Sequence, residues 1–145
     1  MLNKKNFYIN GKWVKPDSEK EIKVINPANE DVCTLITLGN KKDIDTAVFA
    51  AKEAFKLWGY SPKEERIDYL EKLYTLYKQR WDDFTNAIVL EVGDPKEFAS
   101  KLQVGAGAAH IKSFIKYLKE FNFDKPLNDL LANQRIIYEP KGVCA

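Results

Sequence analysis

The 145-residue sequence is poor in the side chains that most often carry enzyme chemistry, since it has two cysteines and one histidine. Cys33 and Cys144 stand far apart without the spacing of a zinc site or a disulfide framework. We expect reduced, structural thiols in buried positions, because free cysteine is among the most buried residue types. A Cys/His pair with His110 stays open as an alternative, but nothing in the local sequence supports it.

Long hydrophobic runs and an excess of one charge are also absent. The apolar stretches are a few residues long, far below the roughly 20 residues that span a bilayer, and the first residues lack an apolar signal core. The 23 basic and 21 acidic residues are interleaved and leave a net charge of +2. Nucleic-acid binders usually show a basic stripe. We therefore expect no membrane, no nucleic acid and a cytoplasmic location.

The first forty residues carry strand patterns that predict hairpins over residues 7–38. Asn10-Gly11 is the pair that best tolerates a type I′ turn, so the flanking residues should form a hairpin in which Tyr8 faces Trp13. A second strand pair is predicted at 21–25 and 32–38, around a turn in which Asn29 can adopt the left-handed conformation.

From residue 41 the apolar period becomes helical and predicts four helices over residues 41–121. Asn40 is the expected N-cap of the first helix, with Asp43 at N3, and Gly59 ends it. Ser61-Pro62-Lys63-Glu64 predicts a capping box with proline at the first helical position of the second helix. The third helix is predicted at 81–91. The fourth is expected from about Lys96 to Phe121.

Two glycines lie inside the fourth helix, at Gly105 and Gly107. A glycine inside a helix costs about 1 kcal/mol relative to alanine, so these positions predict close approach of another segment or a ligand. The run does not follow a strand and lacks a third glycine, so the dinucleotide fingerprint is not met. A strand is predicted at Gln134–Tyr138, before Glu139-Pro140.

Several short motifs follow one another along the chain in a definite order and spacing: Tyr8 to Trp13, Val24 to Ala28, Asp43 to Trp58, Glu65-Arg66, Leu90 to Pro95 and Tyr138 to Val143. In that order and spacing the chain resembles the N-terminal part of an NAD(P)-dependent aldehyde dehydrogenase. Asp94 departs from the usual lysine or alanine. The resemblance implies a parent enzyme that oxidises an aldehyde to a carboxylic acid through a cysteine thiohemiacetal, with NAD or NADP as cofactor and a homo-oligomeric state.

The resemblance also implies a fold class and boundaries. The fold is α/β, with N-terminal β-hairpins and a four-helix segment of the aldehyde dehydrogenase fold, ending before the dinucleotide-binding sheet. Residues 1–126 would form the N-terminal part of the cofactor-binding domain and 127–140 the start of the oligomerisation flap. Residues 141–145 would begin the first strand of the dinucleotide-binding sheet, which makes the chain resemble a truncated segment.

The resemblance places no catalytic residue and no cofactor-binding residue in this chain. Neither NAD nor NADP is expected to bind to this chain alone. Gly105, Ala106 and His110 would border the substrate channel, although helix packing through small residues explains them equally well. The main-chain carbonyl of Ile25 and the side chain of Glu91 would help to hold a monovalent cation. A solvated Glu91 at a helix end is the competing interpretation.

Three readings of the chain follow. It is the inert N-terminal segment of an aldehyde dehydrogenase whose remainder is its partner, or a non-catalytic helical interaction or oligomerisation module, or a chain complemented by a separately encoded remainder. Because the helices lack the sheet that they would cover, exposed apolar patches and self-association are expected.

Overall fold

A computed structural model describes residues 2–128, 130 and 133–144, and within them the fold is α/β. The strands are β1 (Leu2–Lys4), β2 (Phe7–Ile9), β3 (Lys12–Val14), β4 (Glu21–Ile25), β5 (Val32–Thr37), β6 (Asp124–Pro126) and β7 (Arg135–Ile137). The helices are α1 (Lys41–Trp58), α2 (Lys63–Gln79), α3 (Trp81–Val92), α4 (Lys96–Phe98) and α5 (Gly105–Glu120), with a π-helical segment at Ala99–Val104 between the last two.

Strands β2 and β3 form the predicted hairpin. They pair antiparallel with Tyr8 opposite Trp13, and the two rings lie 5.2 Å apart between centroids. Asn10 and Gly11 both have positive φ, at 51° and 74°, as a type I′ turn requires. The sequence prediction for this region is confirmed down to the register.

A three-stranded sheet in the order β1-β5-β4 lies beside the hairpin. Strands β4 and β5 pair antiparallel as predicted, with an irregularity between Val24 and Ile25. Strand β1 pairs parallel with β5, which the sequence analysis did not predict because three residues are too few to show a strand period.

The turn between β4 and β5 differs from the prediction in one residue. Glu30, and not Asn29, takes the left-handed conformation, with φ of 62°. The Asn29 side chain instead exchanges hydrogen bonds with Asp31, and Glu30 N donates to the Asn26 carbonyl at 2.7 Å. The Asn29 side chain therefore forms local hydrogen bonds, and the neighbouring residue Glu30 adopts the left-handed backbone conformation.

Helix α1 starts with the predicted capping box. The Asn40 side chain accepts from Asp43 N at 3.0 Å, and the Asp43 carboxylate accepts from Asn40 N at 2.9 Å. The same carboxylate accepts from Asp17 N at 2.7 Å, and Lys42 pairs with the Asp17 carboxylate. These bonds tie the segment before β4 to the start of the helix.

The capping box predicted for α2 is wrong. Pro62 precedes the helix with ψ of 152°, and the Ser61 hydroxyl makes no cap hydrogen bond. That hydroxyl donates instead to the Trp58 carbonyl at 2.9 Å and accepts from Arg66 Nε at 2.9 Å. The Arg66 guanidinium also donates to the Gly59 carbonyl at 2.8 Å. Ser61 is therefore bound to the end of α1 and not to the start of α2.

The first turn of α2 holds the ends of two other helices. Arg66 binds the last carbonyls of α1, and Lys63 Nζ donates to the carbonyls of Lys119 and Phe121 at 3.1 and 3.4 Å. Both cations meet helix C-termini, where the macrodipole favours positive charge. One helical turn thereby joins α1, α2 and α5.

The predicted long helix from Lys96 to Phe121 is interrupted. Its residues 99–104 are π-helical, and the α-helical part that follows begins at Gly105. A Cβ on Gly107 would lie 2.9 Å from Tyr77 Cζ, whereas the nearest atom to a Cβ on Gly105 is 4.0 Å away. The close approach predicted for the two glycines is confirmed at Gly107 and wrong at Gly105.

The buried core is small and lies mainly under the π-helical segment and α5. Thr85 of α3 is also buried, with its hydroxyl donating to the Trp81 carbonyl at 2.9 Å. The buried apolar residues are Cys33, Ala99, Val104, Ala108 and Ile115. Among the described residues, no helix is both long and apolar enough to cross a membrane.

The C-terminal part contains one further strand pair. Strands β6 and β7 pair antiparallel, and Arg135 binds Asp124 at 2.6 Å. The strand predicted at 134–138 is present as β7, and its partner β6 was not predicted. Residues 141–144 are in no strand, so their assignment to the dinucleotide-binding sheet stays a prediction; Ala145 and three residues of 127–140 lie outside the described residues.

Candidate functional site

The exposed face of α5 carries two of the three residues predicted to border a channel. Ala106 and His110 are four positions apart, so they project from the same side of the helix, and both are exposed. Leu102 lies one turn before them and is also exposed. Gly105 is half-buried and lies off this face. The structure therefore brings Ala106 and His110 together and separates Gly105 from them.

Beneath this face, two aromatic side chains from the α2–α3 corner bind the π-helical segment. The Tyr77 hydroxyl donates to the Val104 carbonyl at 3.1 Å, and Trp81 Nε1 donates to Ser100 Oγ at 2.9 Å. Burial raises the pKa of the Tyr77 hydroxyl, so it stays protonated and able to donate at neutral pH. Neither bond was predicted from the sequence; the four-residue spacing of the two aromatic residues was the available signal.

Ile25 and Glu91, the predicted cation ligands, end two elements that meet. Gly93 follows α3 with φ of 77°, and a Cβ there would lie 3.0 Å from Ala28 N and from Pro27 Cγ. The end of α3 thus packs directly on the turn that follows β4. Ile25 lies two residues before Pro27 and Glu91 two residues before Gly93, with the Glu91 side chain exposed.

Asp94 adds an acceptor at the same junction. Its Oδ2 is buried and has no hydrogen-bond partner among the described residues. An unpaired buried carboxylate oxygen is costly, which is why such atoms call for an explanation in a native fold. Within the described part of the chain, no three histidine, cysteine, aspartate or glutamate side chains are grouped to hold a metal ion. A cation here would depend on main-chain carbonyls as well as on side chains.

The two thiols occupy different environments. Cys33 is buried in β5, as predicted, and its Sγ donates to the Val24 carbonyl at 3.2 Å. Cys144 is exposed, so the prediction that it is buried is wrong, because the described residues around it form no strand that could cover it. Neither thiol has a histidine hydrogen-bonded to it among the contacts of the described residues.

Two grooves in the described part of the surface lie away from the predicted site residues. One of about 660 Å³ separates the β2–β3 hairpin from α1, with Phe49 and Val14 on its two sides. Another of about 460 Å³ lies between the α1–α2 turn and Tyr138. Neither groove includes Ala106 or His110, so the exposed face of α5 needs a second wall from another segment before it can enclose a ligand.

Comparison with known sequences supplies the context for this open face. The sequence pattern of the aldehyde dehydrogenase family matches residues 13–145. A 3-succinoylsemialdehyde-pyridine dehydrogenase from a Pseudomonas species is 36% identical over 145 residues, which covers 99% of this chain and 30% of that protein. This chain matches the N-terminal part of such enzymes and spans less than a third of their length.

Solved structures agree with the sequence match. The crystal structure of an aldehyde dehydrogenase from Bartonella henselae superposes with a TM-score of 0.87 and 40% identity, covering 89% of this chain and 27% of that one. A mutant of aldehyde dehydrogenase C from Pseudomonas syringae, in complex with NAD+ and octanal, gives 0.82 and 32% over 86% of this chain and 26% of its own. The strand pairs and helices described above therefore belong to a known fold, and the chain is a member of the aldehyde dehydrogenase family.

Proposed function

We propose that this chain is the N-terminal part of an enzyme that oxidises an aldehyde to a carboxylic acid with NAD or NADP. The match of residues 13–145 to the family, in unbroken order, carries the proposal. In such a reaction a cysteine thiolate attacks the aldehyde, and the resulting thiohemiacetal passes a hydride to the nicotinamide. In this proposal the chain forms an outer layer of helices and hairpins that packs against the part of the enzyme that carries the catalytic groups.

The catalytic groups are expected from the remainder of the enzyme. The reaction needs a reactive thiolate and preorganised donors for an oxyanion. The Cys33 thiol donates a hydrogen bond to the Val24 carbonyl inside a sheet, and the Cys144 thiol contacts the Gly142 carbonyl. Neither thiol has a base among its described contacts, so we assign no catalytic residue here.

The described residues do not fit a dinucleotide by themselves. The only closely spaced glycines, Gly105 and Gly107, lie inside α5 and follow a π-helical segment, not a strand. Dinucleotide phosphates bind where a strand turns through glycines into a helix N-terminus. NAD or NADP would accordingly be held by the remainder of the enzyme, and this chain alone is proposed to bind neither.

The large exposed area of the chain supports a covering partner. A compact monomer of this mass, 16.7 kDa, exposes about 7,600 Å². This chain exposes 11386 Å², roughly half as much again. The exposed apolar side chains include members of every long helix: Ile44, Phe49, Leu57, Tyr69, Leu73, Leu76, Phe84, Leu102, Phe114 and Tyr117. We propose that the remainder of the aldehyde dehydrogenase covers these faces, in a homo-oligomer whose flap begins with residues 127–140.

The exposed face of α5 is the proposed channel wall. Ala106 offers a short side chain, and His110 adds a polar ring one turn later on the same face. A substrate aldehyde would pass between this face and a second wall from the remainder of the enzyme. Gly105 is half-buried beside this face, and the nearest atom to a Cβ at that position is 4.0 Å away.

The junction of α3 with the turn after β4 is the proposed cation site. The Ile25 carbonyl, the Glu91 carboxylate and the unpaired Asp94 Oδ2 are oxygen donors, which suit a hard monovalent cation. Further ligands would come from the remainder of the enzyme. The close packing of Gly93 against Ala28 supports this proposal because it brings the end of α3 next to the turn that follows β4.

A cytoplasmic location is proposed on the state of the thiols. Cys33 and Cys144 are both free, and an exposed free thiol such as that of Cys144 is typical of a reducing compartment.

Complementation tests the proposed function. This chain is mixed with the C-terminal part of the Pseudomonas succinoylsemialdehyde-pyridine dehydrogenase, starting after the segment that corresponds to Tyr138–Val143. NADH formation from an aldehyde is then followed by absorbance. We expect activity only with both parts present, and either part alone serves as the control. A soluble mixed complex that forms no NADH with any of a series of aldehydes would contradict the proposal.

A further inference from the structure

The π-helical segment at Ala99–Val104 is an unusual stretch of backbone. π-helices are rare, occur mostly as single wide turns inside α-helices, and often lie at functional sites. The widened turn shifts the residues before it, relative to those after it, by about one residue step, or roughly 100° around the axis. A return to regular α-helix would therefore change which side chains are buried on one side of the turn.

Both ends of this segment are held by donors from the α2–α3 corner. Tyr77 donates to the Val104 carbonyl at 3.1 Å, and Trp81 donates to the Ser100 hydroxyl at 2.9 Å. Ala99 and Val104, the first and last residues of the segment, are completely buried. The two donor residues, Tyr77 and Trp81, are thus four positions apart, and so are the two residues that accept their hydrogen bonds, Ser100 and Val104.

The Tyr77 ring has little room to move. It stacks on Phe84 with ring centroids 4.5 Å apart and meets Trp81 edge-on at 6.3 Å. The ring also lies against Gly107, where a Cβ would be 2.9 Å from Tyr77 Cζ. A glycine is required at position 107 because the ring occupies the space of a side chain.

We propose that Tyr77 is a positioning residue that fixes the π-helical register of residues 99–104. Seated on Gly107 and bound to the Val104 carbonyl, it keeps the helix from relaxing to the α-helical register. In the fixed register Ala99 and Val104 are buried, whereas Leu102 is exposed. The functional consequence rests on the proposed role of the exposed face of α5 as a channel wall: Tyr77 sets which side chains an aldehyde would meet.

Thiol labelling tests the register directly. In a background carrying Cys33→Ala and Cys144→Ser, Ala99→Cys places a thiol at the buried start of the segment, and Ile115→Cys places one in the buried face of α5. Tyr77→Phe removes only the hydroxyl. We expect the labelling rate at position 99 to rise about tenfold, as expected for the loss of one buried hydrogen bond, and the rate at position 115 to stay unchanged.

Matched controls separate register from general stability. Tyr69→Phe, on the same helix with an exposed ring, should leave both rates unchanged. Gly107→Ala should raise labelling at position 99, because its Cβ displaces the Tyr77 ring, whereas Gly105→Ala should not. Val104→Cys, which introduces a smaller side chain, replaces Ala99→Cys as the labelling site where that thiol does not fit.

Two results would overturn the proposal. Labelling at position 99 that is the same with tyrosine or phenylalanine at position 77 would show that the hydroxyl does not hold the register. An equal rise at positions 99 and 115 would show a general loss of packing. The measurement needs neither aldehyde nor cofactor, so its failure is distinguishable from a failure of the proposed reaction.

Discussion

Helix α1 and the helices that follow it are held in place in different ways. Around α5 and the π-helical segment, order comes from buried apolar groups such as Val104 and from aromatic donors. Helix α1 buries only the capping residue Asp43, and its Leu57 side chain is 84% exposed. Its ends are fixed by polar contacts, from Asn40 at the start and from Arg66 at the end. An amphipathic sequence thus specifies a helix without specifying what covers it.

Two isoleucines give the largest expected difference between these regions. Ile115 of α5 is 9% exposed and Ile44 of α1 is 60% exposed. Ile115→Ala should destabilise the chain by about 2–4 kcal/mol, because it removes packed methyl groups. Ile44→Ala should change stability by less than about 0.5 kcal/mol. Urea unfolding followed by circular dichroism measures both, and equal losses would mean that α1 is covered in solution.

Ile44 and Ile115 can also be compared after the C-terminal part of a relative is added to the chain. In the complex with the C-terminal part of a relative, Ile44 would become buried and its substitution costly, while the cost at Ile115 would stay the same. Thermal unfolding of the complex, compared with that of the chain alone, reports this change. If the complex of the Ile44→Ala variant is as stable as the wild-type complex, the partner does not cover the exposed face of α1, contrary to the proposal.

The two helical glycines give the next largest effect and compare positions inside one region. Gly107→Ala should destabilise by about 1–3 kcal/mol because the new Cβ would meet the Tyr77 ring. Gly105→Ala has open space around its Cβ and should stabilise by up to about 1 kcal/mol through helix propensity. Denaturant midpoints of the two variants should therefore move in opposite directions; a shift of both in the same direction would exclude this explanation.

The hairpin gives a smaller effect in the region that is held by polar contacts. Tyr8 and Trp13 face each other across β2 and β3. A double-mutant cycle with Tyr8→Ala and Trp13→Ala should give a coupling free energy of about 0.5–1 kcal/mol. A value near zero, measured by thermal unfolding, would indicate that the exposed rings are not in contact in solution.

The effect of acid should be confined to the start of α1. Hydrogen bonds from the backbone of Asn40 and Asp17 lower the pKa of Asp43, and those from Lys42 and Asn40 lower the pKa of Asp17. A lowered pKa in the folded chain means that the stabilisation is present above the ordinary value of 3.8 and is lost as the pH falls through the folded value. Helicity followed by circular dichroism should fall in that range.

Asp43→Asn is the matched variant for this acid transition. Its side chain has nearly the same shape but no proton to gain, so the loss of helicity at low pH should be smaller than in the wild type. The helices around α5 should keep their near-ultraviolet signal throughout. An identical acid transition in both proteins would place its origin elsewhere in the chain.

Local chemistry made much of the fold predictable from the sequence. Asn10-Gly11 fixes a turn and a register by φ values alone, and Asn40 with Asp43 forms a cap from atoms three residues apart. Such features depend on neighbours in the sequence, so the sequence contains them in full. The family resemblance, carried by short motifs in order, predicted the architecture in the same way.

The failures involve partners that the local helix signals do not include. Ser61 was predicted to cap α2, but Arg66 and the end of α1 compete for its hydroxyl. The π-helical segment is bound by Tyr77 and Trp81, which lie on two other helices. Of the candidate site, the pairing of Ala106 with His110 followed from helical spacing, whereas the contact of Gly93 with Ala28 required the three-dimensional fold.

The first turn of α2 carries a consequence for assembly. Lys63 and Arg66 are three residues apart, and they hold the ends of α5 and α1 by their main-chain oxygens. Since those oxygens belong to the main chain, we expect both contacts to persist when side chains at the helix ends are substituted. A partner chain would bind to helices whose ends are already joined at the first turn of α2. Substitutions on the partner's surface would change its affinity and leave these contacts unchanged.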